Sequence, residues 1–274
     1  AVLKLEPASA NFGGVVTTGT QTFTGSKTFG DDLTVNTLTV GKGSGNIYNN
    51  TAIGNCALSC NTTGNANVAN GINALYHNTI GNHNTANGAN TLYSNTEGCQ
   101  NTANGWRALY CNLTGGGNTS NGYSSLYCNT TGNNNTANGN CALYKNTIGT
   151  LNTANGNCAL YNNTCGDANT ANGSRALQAN TTGCHNVANG YLALNLNLTG
   201  DRNVANGVDS LSKNSAGNCN TAIGYQSLKN ISIGSNNVAL GNSTGVNYLS
   251  GGLSIDVTSI SNSVMLGSLS NPLG

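Results

Sequence analysis

Residues 84–100 read NTANGANTLYSNTEGCQ and residues 101–117 read NTANGWRALYCNLTGGG, two segments of equal length that begin with the same five letters. The opening motif, N-[TV]-[AS]-[NIL]-G, recurs with its first Asn at 50, 67, 84, 101, 118, 135, 152, 169, 186, 203, 220 and 237, so every step is 17 residues. Eleven complete copies run from Asn50 to Asn236, and a partial copy covers Asn237 to Gly241. A period this strict denotes identical structural units stacked on one another. Places are numbered below from one, the first Asn, to seventeen.

Glycine fills place five in all copies (Gly88 and Gly105 among them) and place fifteen in all complete copies, while Leu fills place nine, as at Leu75, Leu92, Leu109 and Leu126. Two constant glycines per period mark corners where the backbone takes a positive φ or passes close to its neighbour. Asn, Gly and Thr are poor helix formers, and the Ala-Leu pairs do not follow helical spacing, which excludes a helical hairpin. The segments between corners are short and hold Thr and Val, which predicts two brief strands per coil. The fold expected is all-β, a parallel β-solenoid of 17-residue coils about 50 Å long at about 4.8 Å per rung.

Alternation along NTANG puts places two and four on one face and place three on the other. Because Ile53, Ile223 and Leu240 stand at place four, that face is expected to be interior, with Asn87, Asn104 and Asn138 forming a buried amide ladder. The apolar content per rung is small against the entropy of ordering seventeen residues, so burial between chains, and hence oligomerisation, is expected.

Composition narrows the function. Only 6% of the chain is charged and the net charge is +1, against about 25% charged residues in ordinary soluble domains. The nine basic residues are scattered, which sets aside nucleic acid as a partner. No apolar run reaches membrane-spanning length and the first residues lack a leader layout, so no membrane insertion is expected. His77, His83 and His185 occupy different places, and Glu97, Asp167, Asp201 and Asp209 are isolated substitutions. Neither catalysis, a cofactor nor a metal is expected from such scatter. In-register Cys111 and Cys128, like Cys141 and Cys158, fall within disulfide range, but parallel side chains seldom reach the required torsion, so thiols are expected on assembly inside a cell, with disulfides open to formation after release.

Residues 1–49 differ from the repeats and read as a shaft or adaptor, with Phe23, Phe29, Leu33, Val35, Leu38 and Val40 as candidate core contacts; residues 50–241 are the solenoid, and 242–274 a terminal cap. Tyr76, Tyr93, Tyr110, Tyr127, Tyr144 and Tyr161 share place ten and form a stripe that either seals an interface or packs against sugars. Specificity is expected where copies vary, at places six, seven, sixteen and seventeen and in the cap. The candidate contacts are Trp106, Arg107, Tyr123, Tyr191, Tyr248 and Asp256. A Thr array at places two and thirteen that binds ice is set aside because place two is read as interior and Leu113, Leu198 and Ser215 interrupt place thirteen.

NTAIG at Asn50, NTAIGYQSL at Asn220, NVALG at Asn237 and NSVMLG at Asn262 resemble the N-S-V-A-I-G motif of trimeric autotransporter adhesin heads. The resemblance implies a left-handed β-roll that assembles as a homotrimer and binds a host surface. QTFTGSKTFGDDLTVNTLTVGKGSGNIYNNTAIG, residues 21–54, is similar to the shaft-to-head junction of tailed-bacteriophage tail fibres. That resemblance implies a fibre subunit on a virion tail, outside the cell, with other tail proteins and a host glycan or protein as partners. A self-assembling extracellular filament and a bacterial adhesin subunit are the alternatives; no stalk heptads or anchor strands are visible to favour the adhesin.

Overall fold

The computed structural model describes residues 33–35, 38–245 and 258–267. Strands β1 (Leu33–Val35) and β2 (Leu38–Gly41) pair antiparallel, and β2 pairs antiparallel with β3 (Thr51–Ile53). From β3 to β14 (Val238–Leu240) each coil contributes one strand at places two to four, and all pair parallel in chain order. The register is the repeat itself, with Thr102 opposite Thr119 and Asn104 opposite Asn121. After a longer excursion, β15 (Val264–Leu266) adds to β14 with Val238 opposite Val264. The fold is therefore the all-β parallel solenoid that the period implies.

Each coil has one strand, not the two expected. The Ala-Leu-Tyr segment cannot be extended, because the Leu at place nine is left-handed throughout, with φ between 48° and 52°. Places seven and seventeen are left-handed as well, as at Cys141 (φ 52°) and Leu151 (φ 59°). Such a backbone costs a non-glycine residue about 1–2 kcal/mol. It also turns each N–H toward a neighbouring rung: Leu143 donates to Ala159 O at 3.0 Å, and Cys141 to Tyr123 O at 2.9 Å. The turns thus hydrogen-bond between coils as the strands do.

The faces are the reverse of the expectation. Alanines at place three are fully buried, whereas places two and four are half-buried or exposed. The core consists of Ala at places three and eight, Leu at place nine and, in the last coil, Ile231. At the inward strand place the coils from Asn50 to Gly241 hold Ala or Ser, and a longer side chain, Met265, packs against the core there in terminal β15. The coil from Asn118 to Asn134 marks the inward places, since it replaces both alanines with Ser120 and Ser125, whose hydroxyls lie 2.5 Å apart in the core.

The amides buried inside are the constant asparagines of places one and twelve. Asn129 Nδ2 donates to Asn112 Oδ1 at 2.8 Å and to Gly132 O at 3.0 Å, and its Oδ1 accepts from Asn146 Nδ2 at 2.8 Å. Across the same coil Asn118 Nδ2 reaches Gly132 O at 2.8 Å, so one carbonyl fastens both sides of the turn. The twelfth-place ladder ends where Ile231 replaces Asn, leaving Asn214 Oδ1 buried without a partner. The ladder expected at place four exists too, with Asn87 bonded to Asn104 at 2.8 Å, Asn104 to Asn121 at 2.7 Å and Asn121 to Asn138 at 2.8 Å, but on the outer face, half-exposed.

Both glycine corners behave as expected. Gly105 has φ 128°, and a Cβ there would sit 2.6 Å from Gly122 O of the next rung. The fifteenth-place glycines have no positive φ, and close approach alone excludes a side chain. Of the N-terminal contacts, Leu33, Leu38 and Val40 are exposed rather than buried. Phe23, Phe29 and the side chain of Val35 lie outside the described residues.

Candidate functional site

The stack converts the constant period into stripes. At place ten the six tyrosines form a column from Tyr76 to Tyr161 with ring centres 5.1–5.3 Å apart and planes within 15°. Each is half-buried, because the ring lies along its neighbours and leaves one side to solvent. His77 meets Tyr76 and Tyr93 edge-on at 4.7 and 5.0 Å.

A second, shorter column stands at place six, where Trp106 stacks on Tyr123 at 4.8 Å with planes 21° apart. Arg107, at left-handed place seven, folds its guanidinium over Trp106 at 4.1 Å and lies 5.6 Å from the ring of Tyr110. The structure thus brings together three of the expected contact residues. Tyr191 occupies the same stripe four coils further on and is exposed. Tyr248 and Asp256 lie outside the described residues.

Place sixteen, expected to carry specificity, also has a structural duty. Its side chain accepts the place-sixteen N–H of the preceding coil: Asn133 Oδ1 from Gly116 at 2.7 Å, Asp167 Oδ1 from Thr150 at 2.6 Å, and Asp201 Oδ1 from Cys184 at 2.7 Å. The signal in the sequence was the recurrence of one chemical type there, an acceptor, in place of one residue. Asp209 is held by Lys229 at 3.0 Å. Among the described residues no cluster of His, Cys, Asp or Glu is suited to a metal.

All ten cysteines are free. Burial pushes the thiols of Cys111, Cys128 and Cys141 up; Cys128 adds to the rise at Cys111 and Cys158 to that at Cys141, while Lys145 opposes it at Cys128. Burial likewise raises Tyr127, Tyr144 and Tyr161, with nearby cysteines adding to it. Alkylation proceeds through the thiolate, and a raised pKa shrinks the thiolate fraction at a given pH. Iodoacetamide at pH 8, followed by peptide mass mapping, is expected to label exposed Cys56, Cys60 and Cys219 well before Cys111, Cys128 and Cys141. Equal rates at Cys56 and Cys111 would contradict the burial of Cys111.

Among the described residues no helix is long and apolar enough to cross a membrane. Compared with protein-family models, curated proteins and solved structures, the chain matches none.

Proposed function

We propose that this chain is the subunit of a homotrimeric attachment fibre of the kind borne on tailed-phage virions, with the solenoid holding an aromatic contact surface against the cell. The observation that carries the proposal is the division of labour within the coil. Places one, three, five, eight, nine, twelve and fifteen build the rod, while place six changes from rung to rung and faces solvent. A uniform rod with a variable surface serves to present contacts at a distance.

The strand face supports self-association. No charged residue stands at place two or four in any copy. Apolar side chains are exposed at both ends of the face, from Ile53 and Val68 to Ile223, Leu240, Val264 and Leu266. An uncharged face with apolar ends matches the interior of an interface better than a solvated surface. The number three comes from the resemblance to trimeric adhesin heads.

A second function has one observation in its favour. Thr102, Thr119, Thr136, Thr153 and Thr170 point outward in register, which removes one of the two grounds for setting aside an ice-binding array and leaves the interruptions at place thirteen, Leu113, Leu198 and Ser215, against it. Self-association through that face would cover the array.

The test is attachment. Fluorescently labelled protein is expected to bind cells from a panel of bacteria, and Trp106→Ala and Tyr123→Ala are expected to lower binding without moving the melting temperature by more than a few degrees. If both variants bind as well as the parent, the chain is a spacer; if the parent binds no cells and shows thermal hysteresis, the ice array is the function.

A further inference from the structure

Asparagine is chemically labile, and most of all before glycine, whose missing side chain leaves its backbone nitrogen free to approach the preceding amide. The sequence holds nine Asn-Gly pairs, all at places four and five, from Asn70-Gly71 to Asn206-Gly207. The outer ladder sorts them into three groups. Asn104, Asn121, Asn138, Asn155 and Asn172 each take part in two of its side-chain bonds, and its ends, Asn87 and Asn189, in one. Asn70 and Asn206 stand outside it: no side-chain hydrogen bond holds them, and they are exposed where the ladder members are half-buried. The cause lies in their neighbours, since Asn70 is paired with Ile53 and Asn206 with Ile223, which offer an amide no partner.

Cyclisation requires the amide to turn until its Cγ faces the glycine nitrogen. One restraint is common to all three groups, because Gly71 donates to Ile53 O, Gly105 to Asn87 O and Gly207 to Asn189 O, each at 2.8 Å. The ladder is the restraint that differs. Opening two of its bonds before the amide can turn slows the step about ten-fold or more.

We propose that Asn70 and Asn206 are sites of spontaneous deamidation, and that the charge gained there loosens assembly through the strand face. The glycine nitrogen bonds to Cγ and gives up its proton, ammonia leaves, and one water opens the succinimide to aspartate or isoaspartate. Either product places a carboxylate beside Ile53 or Ile223, on a face whose strand places carry no charge in any copy. Isoaspartate also routes the main chain through its β-carbon immediately before the fifth-place corner.

Peptide mapping of protein held in mildly alkaline buffer reads conversion at each asparagine by mass, and labelling with an isoaspartyl methyltransferase marks the isoaspartate. Asn70 and Asn206 are expected to convert about ten-fold faster than Asn121 and the other interior members, with Asn87 and Asn189 between. Asn121→Ile, which copies Ile223, takes one bond each from Asn104 and Asn138; these two are expected to rise to the rate of Asn87 while Asn172 stays unchanged. A single rate for all nine, or fastest conversion inside the ladder, would overturn the assignment. The variant with Asn70→Asp and Asn206→Asp is expected to shift from trimer toward monomer in native mass spectrometry, and assembly equal to the parent's would refute the loosening. That second part rests on the self-association proposed above. A parent that is itself monomeric refutes the self-association, whereas the order of conversion, read on the same sample, decides the deamidation sites independently.

Discussion

Gly149→Ala is expected to lower stability by about 4 kcal/mol, through the overpacking and lost buried hydrogen bonds that together set that scale. The added Cβ would lie 2.5 Å from Asn146 Oδ1, 2.6 Å from Gly166 O and 2.9 Å from Asn163 Nδ2. All three atoms belong to the clasp that closes the coils, and two are on the neighbouring rung. Relief requires the rungs to part, which strains the three consecutive N–H groups of Thr147, Ile148 and Gly149 that converge on Thr164 O at 3.0–3.3 Å. Gly116→Ala is the control: its Cβ would meet Cys99 O at 3.1 Å and then nothing nearer than 3.7 Å, and other copies carry Asn, Cys or Asp there. Its cost is expected to stay within about 1 kcal/mol. Urea midpoints with limited proteolysis read both; an unchanged midpoint for Gly149→Ala would refute the close approach of the corners.

Asn163→Leu is expected to cost about 3–5 kcal/mol, since leaving each buried polar partner unsatisfied costs about 1–3 kcal/mol. Asn163 is fully buried and donates to Asn146 Oδ1 at 2.8 Å and to Gly166 O at 2.9 Å, while accepting from Asn180 Nδ2 at 2.8 Å. Leucine would strand the amides above and below in the middle of the ladder. Ile231 shows the tolerated form of the same change, because at the ladder's end it leaves a single orphan, Asn214 Oδ1. The outer ladder offers the contrast: Asn138→Ala removes bonds to Asn121 and Asn155 at 2.8 Å, but water reaches the half-exposed partners and the cost is expected to stay near 1 kcal/mol. Equal losses for the two variants would mean that the inner and outer faces are wrongly assigned.

The period, the stacking and both glycine corners were legible in the sequence because each is imposed by backbone proximity from rung to rung. The face of the strand was not. Ile53, Ile223 and Leu240 suggested an apolar interior at place four, yet they face outward, and the true markers of the interior were constancy and smallness, as at Ala103 and Ala137. The paired change to Ser120 and Ser125 pointed to two places that face each other inside. The second strand was misjudged because pattern alone does not reveal that Leu109 or Leu126 sits at φ 52° or 49°. At the candidate site, Trp106 and Arg107 stood out as a break in the repeat, but the role of Arg107 as a bridge between two aromatic columns depends on side-chain directions that only the folded chain defines.

Exposure of Ile223, Leu240 and Leu266 in a single chain is what makes self-association through the strand face the central claim. Native mass spectrometry of the protein at micromolar concentration tests it most directly, alongside a variant carrying Ile223→Asp and Leu240→Asp. The parent is expected at three times the 27.7 kDa of one chain, with the variant falling to monomer while keeping its β-rich circular dichroism spectrum. A parent that is a folded monomer at that concentration would contradict the account.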